Sequence, residues 1–245
     1  MTGQGEEKGG PAERKYDEAI SLRVEGRYEG ARAAFRQALD LYRDVPGSER
    51  ERAVCLFNTG FILHGAGRYE EARAACQQAL GLYDGLSGTE EEQADCLYRT
   101  GDVLRSVGRC EEARTAWRQA LPAYQQALEH YRRLPGTEHR QAGCLRRIGD
   151  ALCAEARHEE ALAAFQNALA LYGRLPGTEC QQADCLLGAG SALAEAGRYE
   201  EALASYQDAL TLFRQAGDTP HQVICLINIA NTLYAAGRHE ESLAS

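Results

Sequence analysis

The chain has 245 residues, a formal net charge of −9 and 44% hydrophobic residues, enough for a substantial core. Such an acidic chain repels phosphate backbones, so we expect no nucleic-acid partner. No apolar segment approaches the roughly 18 residues that indicate a membrane span, and we predict no membrane association. Nine cysteines without an apolar signal segment favour free thiols in a reducing, cytoplasmic compartment.

An internal repeat organises the chain after a short N-terminal segment. We predict that residues 1–11 form a disordered tail. The phrase Gly-Arg-Tyr-Glu then begins at Gly26, Gly67 and Gly197, with degenerate copies at Gly108, Ala156 and Gly237. In chain order the copies are 41, 41, 48, 41 and 40 residues apart. This regularity predicts a single solenoid over 12–245, with about five and a half repeats and a truncated last repeat.

Each repeat has the pattern of two helices. In one copy, Leu186, Ala189, Gly190 and Leu193 form the stripe of an amphipathic first helix. Gly197 then ends that helix, and the apolar spacing of the next segment predicts a second helix to about residue 215. Since no window alternates with period 2, we expect essentially no strand. The Glu-Glu pairs after each turn (70–71, 111–112, 159–160 and 200–201) are interpreted as solvated helix starts.

The linkers carry residues that are typical of helix N-termini. A hydroxyl residue followed three positions later by Glu or Gln predicts a capping box. This pattern occurs as Ser48 with Glu51, Thr89 with Glu92, Thr178 with Gln181, and Thr219 with Gln222.

One second helix contains a duplicated heptad that accounts for the 48-residue spacing. Gln119-Ala-Leu-Pro-Ala-Tyr-Gln125 is followed by Gln126-Ala-Leu-Glu-His-Tyr-Arg132. Seven residues rotate a helical face by only about 20°, so the apolar stripe survives, and Pro122 is expected to kink the helix. The insertion is either simply tolerated or breaks the solenoid between the third and fourth repeats.

These residues resemble the tetratricopeptide repeat family. Its pattern of Leu-Gly in the first helix and Ala-x3-Phe in the second is matched, for example, by Leu145, Gly149, Ala161 and Phe165. The 41-residue unit is similar to the long-unit variants in kinesin light chains and Leu-Gly-Asn-rich polarity adaptors. The resemblance covers about 12–245 and implies an all-α, right-handed superhelical solenoid of antiparallel helix pairs.

The resemblance also implies a concave groove that is lined by the first helices and binds peptides or partner helices. The candidate groove residues are Asn58, Phe61, Tyr98, Arg99, Asp102, Arg105, Arg146, Arg147, Asp150, Asn228 and Asn231. The Arg99–Asp102 and Arg147–Asp150 spacings fit either ligand contacts or self-satisfied surface pairs. Four arginines in an acidic chain (Arg99, Arg105, Arg146 and Arg147) favour an acidic or carboxylate-bearing partner segment.

No catalytic constellation, metal site or cofactor motif is expected. Five cysteines occupy one repeat position, directly before the first-helix leucine: Cys55, Cys96, Cys144, Cys185 and Cys225. Equivalent positions lie on the order of 10 Å apart, too far for a shared zinc ion or a disulfide, so we interpret these cysteines as core residues. Cys76 and Cys110 replace aromatic residues of other repeats, and we also expect them in the core.

The sequence therefore predicts a protein-interaction scaffold rather than an enzyme. An alternative is a sensor or regulatory module of a larger signalling or transcription-regulatory protein. The last second helix has only Arg238 to Ser245, too few residues to cover Leu226 and Leu233. Either the chain is a fragment, or its C-terminal end pairs with another surface, which includes self-association.

Overall fold

A computed structural model of the protein describes residues 10–238, which form eleven α-helices and no strand. The first helices of the repeats are α1 (Pro11–Val24), α3 (Glu49–Gly65), α5 (Glu90–Ser106), α7 (Glu138–Ala154), α9 (Glu179–Glu195) and α11 (Thr219–Ala235). The second helices are α2 (Tyr28–Tyr42), α4 (Tyr69–Tyr83), α6 (Cys110–Arg132), α8 (His158–Tyr172) and α10 (Tyr199–Ala216). The predicted all-α architecture is confirmed.

Two terminal predictions fall largely outside the described residues. Residues 1–9, most of the predicted tail, lie outside them, while Pro11 is already the first residue of α1. Residues 239–245, where the truncated last helix was predicted, also lie outside them.

The helices belong to two compact units, one ending at Ala116 and the other beginning at Trp117, so that α6 contains the boundary. In the first unit α1 packs on α2 and α3 on α4, while α2–α3 and α4–α5 contacts join successive repeats. The second unit repeats this scheme with α7–α8, α9–α10, α8–α9 and α10–α11. A single solenoid over 12–245 stays a prediction.

Glycines on the first helices let the second helices approach closely. A Cβ on Gly149 would lie 2.8 Å from the ring of Phe165, and one on Gly190 would lie 2.6 Å from the ring of Tyr206. Both rings are buried, and alanines fill the space around them at every repeat. The Leu-Gly phrase of the first helix is therefore a packing requirement of the helix pair.

The linker hydroxyls do not cap the helices that follow them, so the predicted capping boxes at Ser48, Thr89 and Thr178 are wrong. The Thr178 hydroxyl instead donates backward to the carbonyls of Tyr172 at 2.7 Å and Leu175 at 3.0 Å. Ser48 and Thr89 make the same pair of contacts at the ends of α2 and α4. The buried hydroxyl thus adds a second donor to the last carbonyl of the preceding helix, which also accepts a backbone N–H from the linker, as Tyr172 does from Leu175 at 2.9 Å.

The last linker differs from the others because an aspartate takes the capping position. Asp218 precedes α11, and its side chain accepts a hydrogen bond from the backbone N–H of His221 at 3.2 Å. The predicted cap at Thr219 is therefore wrong by one residue, since Thr219 is the first residue of the helix.

The duplicated heptad lengthens one helix without ending it. Helix α6 runs for 23 residues and contains Pro122 in its interior. Tyr124 and Tyr131, one from each heptad, are both buried, so the apolar stripe continues through the insertion as predicted.

The turn between α7 and α8 contains a strained residue. Ala156 has a φ of 58°, whereas the corresponding turns place glycine in this left-handed conformation, as at Gly197 with a φ of 77°. A Cβ disfavours this conformation by about 1–2 kcal/mol.

We predict that Ala156→Gly raises the free energy of unfolding by about 0.5–1 kcal/mol, because the gain in the turn exceeds the added entropy of the unfolded chain. Chemical denaturation followed by circular dichroism measures the difference. Ala196→Gly is the matched control, since Ala196 ends α9 with a φ of −77° and should lose stability. Equal effects of the two substitutions would contradict the explanation.

Removal of a linker hydroxyl should be costly. Thr178→Val keeps the side-chain shape but removes the hydroxyl that donates to the carbonyls of Tyr172 and Leu175. The Tyr172 carbonyl still accepts from the Leu175 N–H at 2.9 Å, so we expect a loss of about 0.5–1.5 kcal/mol in thermal or chemical denaturation. Thr211→Val is the control, because the Thr211 hydroxyl donates to Gln207 on an exposed helix face. A loss that is no larger for Thr178→Val than for Thr211→Val would refute the structural role.

Candidate functional site

The candidate groove residues lie on first helices in both units. In the first unit α3 and α5 supply Asn58, Phe61, Tyr98, Arg99, Asp102 and Arg105. In the second unit α7 and α11 supply Arg146, Arg147, Asp150, Asn228 and Asn231. We call these two sets the first-helix faces of the first and second unit.

Phe61 is the centre of the first-helix face of the first unit. Its ring is 38% exposed, although it is a large apolar side chain. The guanidinium carbon of Arg99 on α5 lies 4.9 Å from the ring centroid, and that of Arg23 on α1 lies 5.9 Å from it. Both distances are within the range of cation–π attraction, so the ring holds two positive charges from neighbouring repeats.

Asp102 links Arg99 to one further arginine of this face, Arg105. Its carboxylate accepts a hydrogen bond from Arg99 at 3.3 Å and lies 3.8 Å from Arg105. The Arg99–Asp102 pair is mostly buried, with side chains that are 15% and 13% exposed, whereas Arg105 is exposed. The predicted i, i+3 pair is present, and its burial makes it stronger than an open surface pair.

Asn58 and Tyr98 are less accessible than the resemblance implies. Asn58 is buried, and its amide donates to the Val54 carbonyl of its own helix at 2.9 Å. Tyr98 is half-buried. Among the candidate residues of the first unit, Phe61 and Arg105 are therefore the exposed ones.

The face of the second unit contains a network of opposite charges. Asp150 lies 3.4 Å from the nearest guanidinium nitrogen of Arg146 and 3.6 Å from that of Arg147. Asp184 on α9 belongs to the same surroundings. Burial raises the pKa of the Asp184 carboxyl, against the opposing charges of Arg146 and His221.

Helix α11 completes this face with uncharged side chains. Asn228 is half-buried and Asn231 is exposed. Beside them Ile227 and Tyr234 are more than half exposed, which is unusual for side chains of this size. The two asparagines thus lie at the edge of an apolar surface.

Most of the cysteines are buried in the core. The five that share a repeat position are buried, as predicted, and burial raises the pKa of the Cys55 thiol to about 12. Cys76 is buried as well, but Cys110 is exposed, so its predicted place in the core is wrong. Cys110 corresponds to Tyr28, whose side chain is also exposed.

Among residues 10–238, no group of three or more His, Cys, Asp or Glu side chains is arranged to hold a metal ion.

The Glu-Glu pairs are exposed, as predicted, and they also form a series of ion pairs. Arg198 contacts Glu201 of its own repeat at 2.6 Å and Glu159 of the preceding repeat at 3.1 Å. The same two contacts recur for Arg109, with Glu112 and Glu70. In these two copies the arginine of the motif thus links two successive repeats.

Paired helices that stack repeat by repeat define a helical-repeat protein with a scaffold architecture. A family model for the tetratricopeptide repeat matches residues 14–84, 58–126, 116–174, 141–215 and 181–245. The chain belongs to the tetratricopeptide repeat family. No curated protein sequence matches it significantly.

Solved structures with the same fold are distant in sequence. A Rap protein complexed with competence and sporulation factor has a TM-score of 0.63 at 15% identity, covering 95% of this chain and 71% of that chain. Kinesin light chain TPR-like repeats from Podospora anserina have a TM-score of 0.56 at 13% identity, covering 84% and 96%. Aspartyl phosphate phosphatase F from Bacillus subtilis has a TM-score of 0.60 at 12% identity, covering 95% and 67%. These similarities concern the fold alone.

Membrane insertion of the described helices is not indicated. Within residues 10–238, none of the helices combines the length and the hydropathy that a membrane crossing requires.

Proposed function

We propose that the chain is a protein-interaction scaffold that binds an extended or helical segment of a partner protein on its first-helix faces. The observation that carries this proposal is the exposed ring of Phe61, which is held between arginines from two neighbouring first helices. An exposed aromatic side chain with adjacent cations is typical of the residues that contribute most to protein interfaces.

The contrast between the two kinds of helix supports this assignment. At the starts of the second helices, exposed glutamates are already paired with arginines of the chain, as Glu71 is with Arg68. The first helices expose more large apolar side chains, such as Phe61 and Ile227, than the second helices, where Tyr28 and Leu41 are exposed. The Rap protein with the same fold was solved in complex with competence and sporulation factor, which shows that this architecture can hold a partner.

The charges of the two faces favour an acidic or carboxylate-bearing partner segment. Arg99, Arg105, Arg146 and Arg147 are concentrated there, although the whole chain has a net charge of −9. Guanidinium groups pair with carboxylates through two parallel hydrogen bonds, and nearby opposite charges accelerate association.

The proposal is tested with a random library of unmodified peptides displayed on phage and selected against the full chain. For peptides enriched by the wild type, we expect a combined Arg99→Gln, Arg147→Gln and Asn228→Ala variant to lose affinity by about tenfold or more, equivalent to about 1.4 kcal/mol or more. Fluorescence anisotropy measures the affinities, and circular dichroism verifies that the variant is folded.

The control for this experiment is Arg73→Gln on α4, because Arg73 pairs with Glu70 at the start of a second helix. Its affinities should equal those of the wild type. Unchanged binding by the folded triple variant would remove the first-helix faces from the proposal, and equal losses in the control would indicate a nonspecific charge effect.

A second proposal is self-association through α11. Val223, Ile224, Ile227 and Tyr234 are exposed on this helix. The residue at the position of Val223 in the earlier repeats is a fully buried alanine, as at Ala183. Sedimentation velocity over a wide concentration range should show a dimer that Ile227→Glu abolishes, and a monomer at every wild-type concentration would exclude self-association.

A further inference from the structure

The cluster around Phe61 has an excess of positive charge that a single carboxylate would not neutralise. The charged side chains that contact the ring or one another are Arg23, Arg99, Arg105 and Asp102. This cluster contains three guanidinium groups and one carboxylate, so its local excess is two positive charges. The surplus lies in a chain whose net charge is −9.

The guanidinium groups of Arg23 and Arg99 retain unused hydrogen-bonding capacity. The Nε atoms of Arg23 and Arg99 are buried and have no hydrogen-bond acceptor within residues 10–238. In the same part of the chain Arg23 has no ion pair, and its identified contact is with the Phe61 ring. The Arg99 bond to Asp102 is long for a charge-assisted hydrogen bond, at 3.3 Å. Arg23 and Arg99 therefore keep donors that the described residues do not satisfy, although the Nε atoms themselves lie below the surface.

The pKa of a neighbouring histidine, His64, is affected by the same arginines. His64 on α3 hydrogen-bonds to Ser106 on α5 at 2.9 Å. Burial lowers the pKa of His64, and the charges of Arg99 and Arg105 lower it further against the opposing effect of Asp102. The imidazole therefore stays neutral at neutral pH, and the positive charge of the cluster comes from the arginines.

Phe61 gives this cluster a fixed geometry. An aromatic ring between guanidinium groups restricts their movement, so less entropy is lost when they bind an anion. The ring faces are used by cations of the chain itself, which makes a cationic ligand a poor fit.

We propose that the first-helix face of the first unit binds a phosphorylated side chain of its partner segment, with Arg23, Arg99 and Arg105 around the phosphate. A phosphate monoester carries a charge close to −2 at neutral pH and three acceptor oxygens, which matches the local excess and the number of guanidinium groups. Clusters of arginine recognise phosphorylated motifs in this way. This inference rests on the proposed scaffold function and specifies the partner chemistry at one of its faces.

The test uses the full chain and three labelled pools of short peptides with identical randomised flanks. The central residue of each pool is phosphoserine, serine or glutamate, and fluorescence anisotropy gives the apparent affinity. We expect the phosphoserine pool to bind about tenfold or more tightly than the serine pool and more tightly than the glutamate pool, because a dianion engages more donors than a carboxylate.

Two variants test whether the preference for phosphoserine comes from the cluster around Phe61. Arg23→Gln should bring the phosphoserine-to-serine ratio of affinities close to one, and Phe61→Leu should lower it severalfold by freeing the guanidinium groups. Arg32→Gln on α2 is the matched control, because Arg32 is a half-buried arginine of the same unit that pairs with Glu29. The control should keep the wild-type ratio, and circular dichroism verifies the fold of each variant.

The possible results separate this inference from the scaffold proposal. Equal binding of the phosphoserine and glutamate pools, or an unchanged ratio in Arg23→Gln, would overturn the phosphate assignment. If all pools bind equally and the triple variant of the first-helix faces loses that binding, the scaffold function stands and the phosphate inference fails. If no pool binds and the unmodified library yields no ligand, both fail.

Discussion

The close approach of each first helix to its second helix is the contact on which the rest of the structure depends. At Gly149 and Gly190 the absence of a Cβ leaves room for the rings of Phe165 and Tyr206. A methyl group there would push the helices apart, because the rings are buried and cannot move aside. The row of small cysteines and the alanines of the second helices follow from the same short distance between helix axes.

Because of this packing, the residues that maintain the fold are different from the residues that lie on the first-helix faces. The buried positions repeat with little variation, whereas equivalent positions on the first-helix faces differ from repeat to repeat. Arg99, Arg147 and Asn228 occupy one such position, and Phe61, Asp102 and Asp150 occupy another. The side chains of such a surface can change without a change in the core, and Phe61 lies within cation–π distance of arginines from two other repeats.

Much of the fold was predictable because the repeat period, the helix-ending glycines and the amphipathic stripes are all local patterns. The backward hydrogen bonds of Ser48 and Thr178 were not, since their acceptors belong to the preceding helix and the sequence pattern fits a capping box equally well. Arg23 was not among the predicted site residues, because α1 lacks the Cys-Leu phrase from which the positions on the other first helices were counted. Extending the 41-residue period backward places Arg23 at the position of His64 and Arg105, which is the signal that would have found it.

The arginine of the Gly-Arg motif has a consequence for how such a chain can change in length. Arg109, Arg198 and Arg238 each reach a glutamate at the start of the preceding second helix. Each of these three copies of the motif thus brings a cation for the copy before it. A repeat that carries both the arginine and this glutamate can pair with another of the same kind on either side, so that duplication of one such repeat would regenerate the same junction.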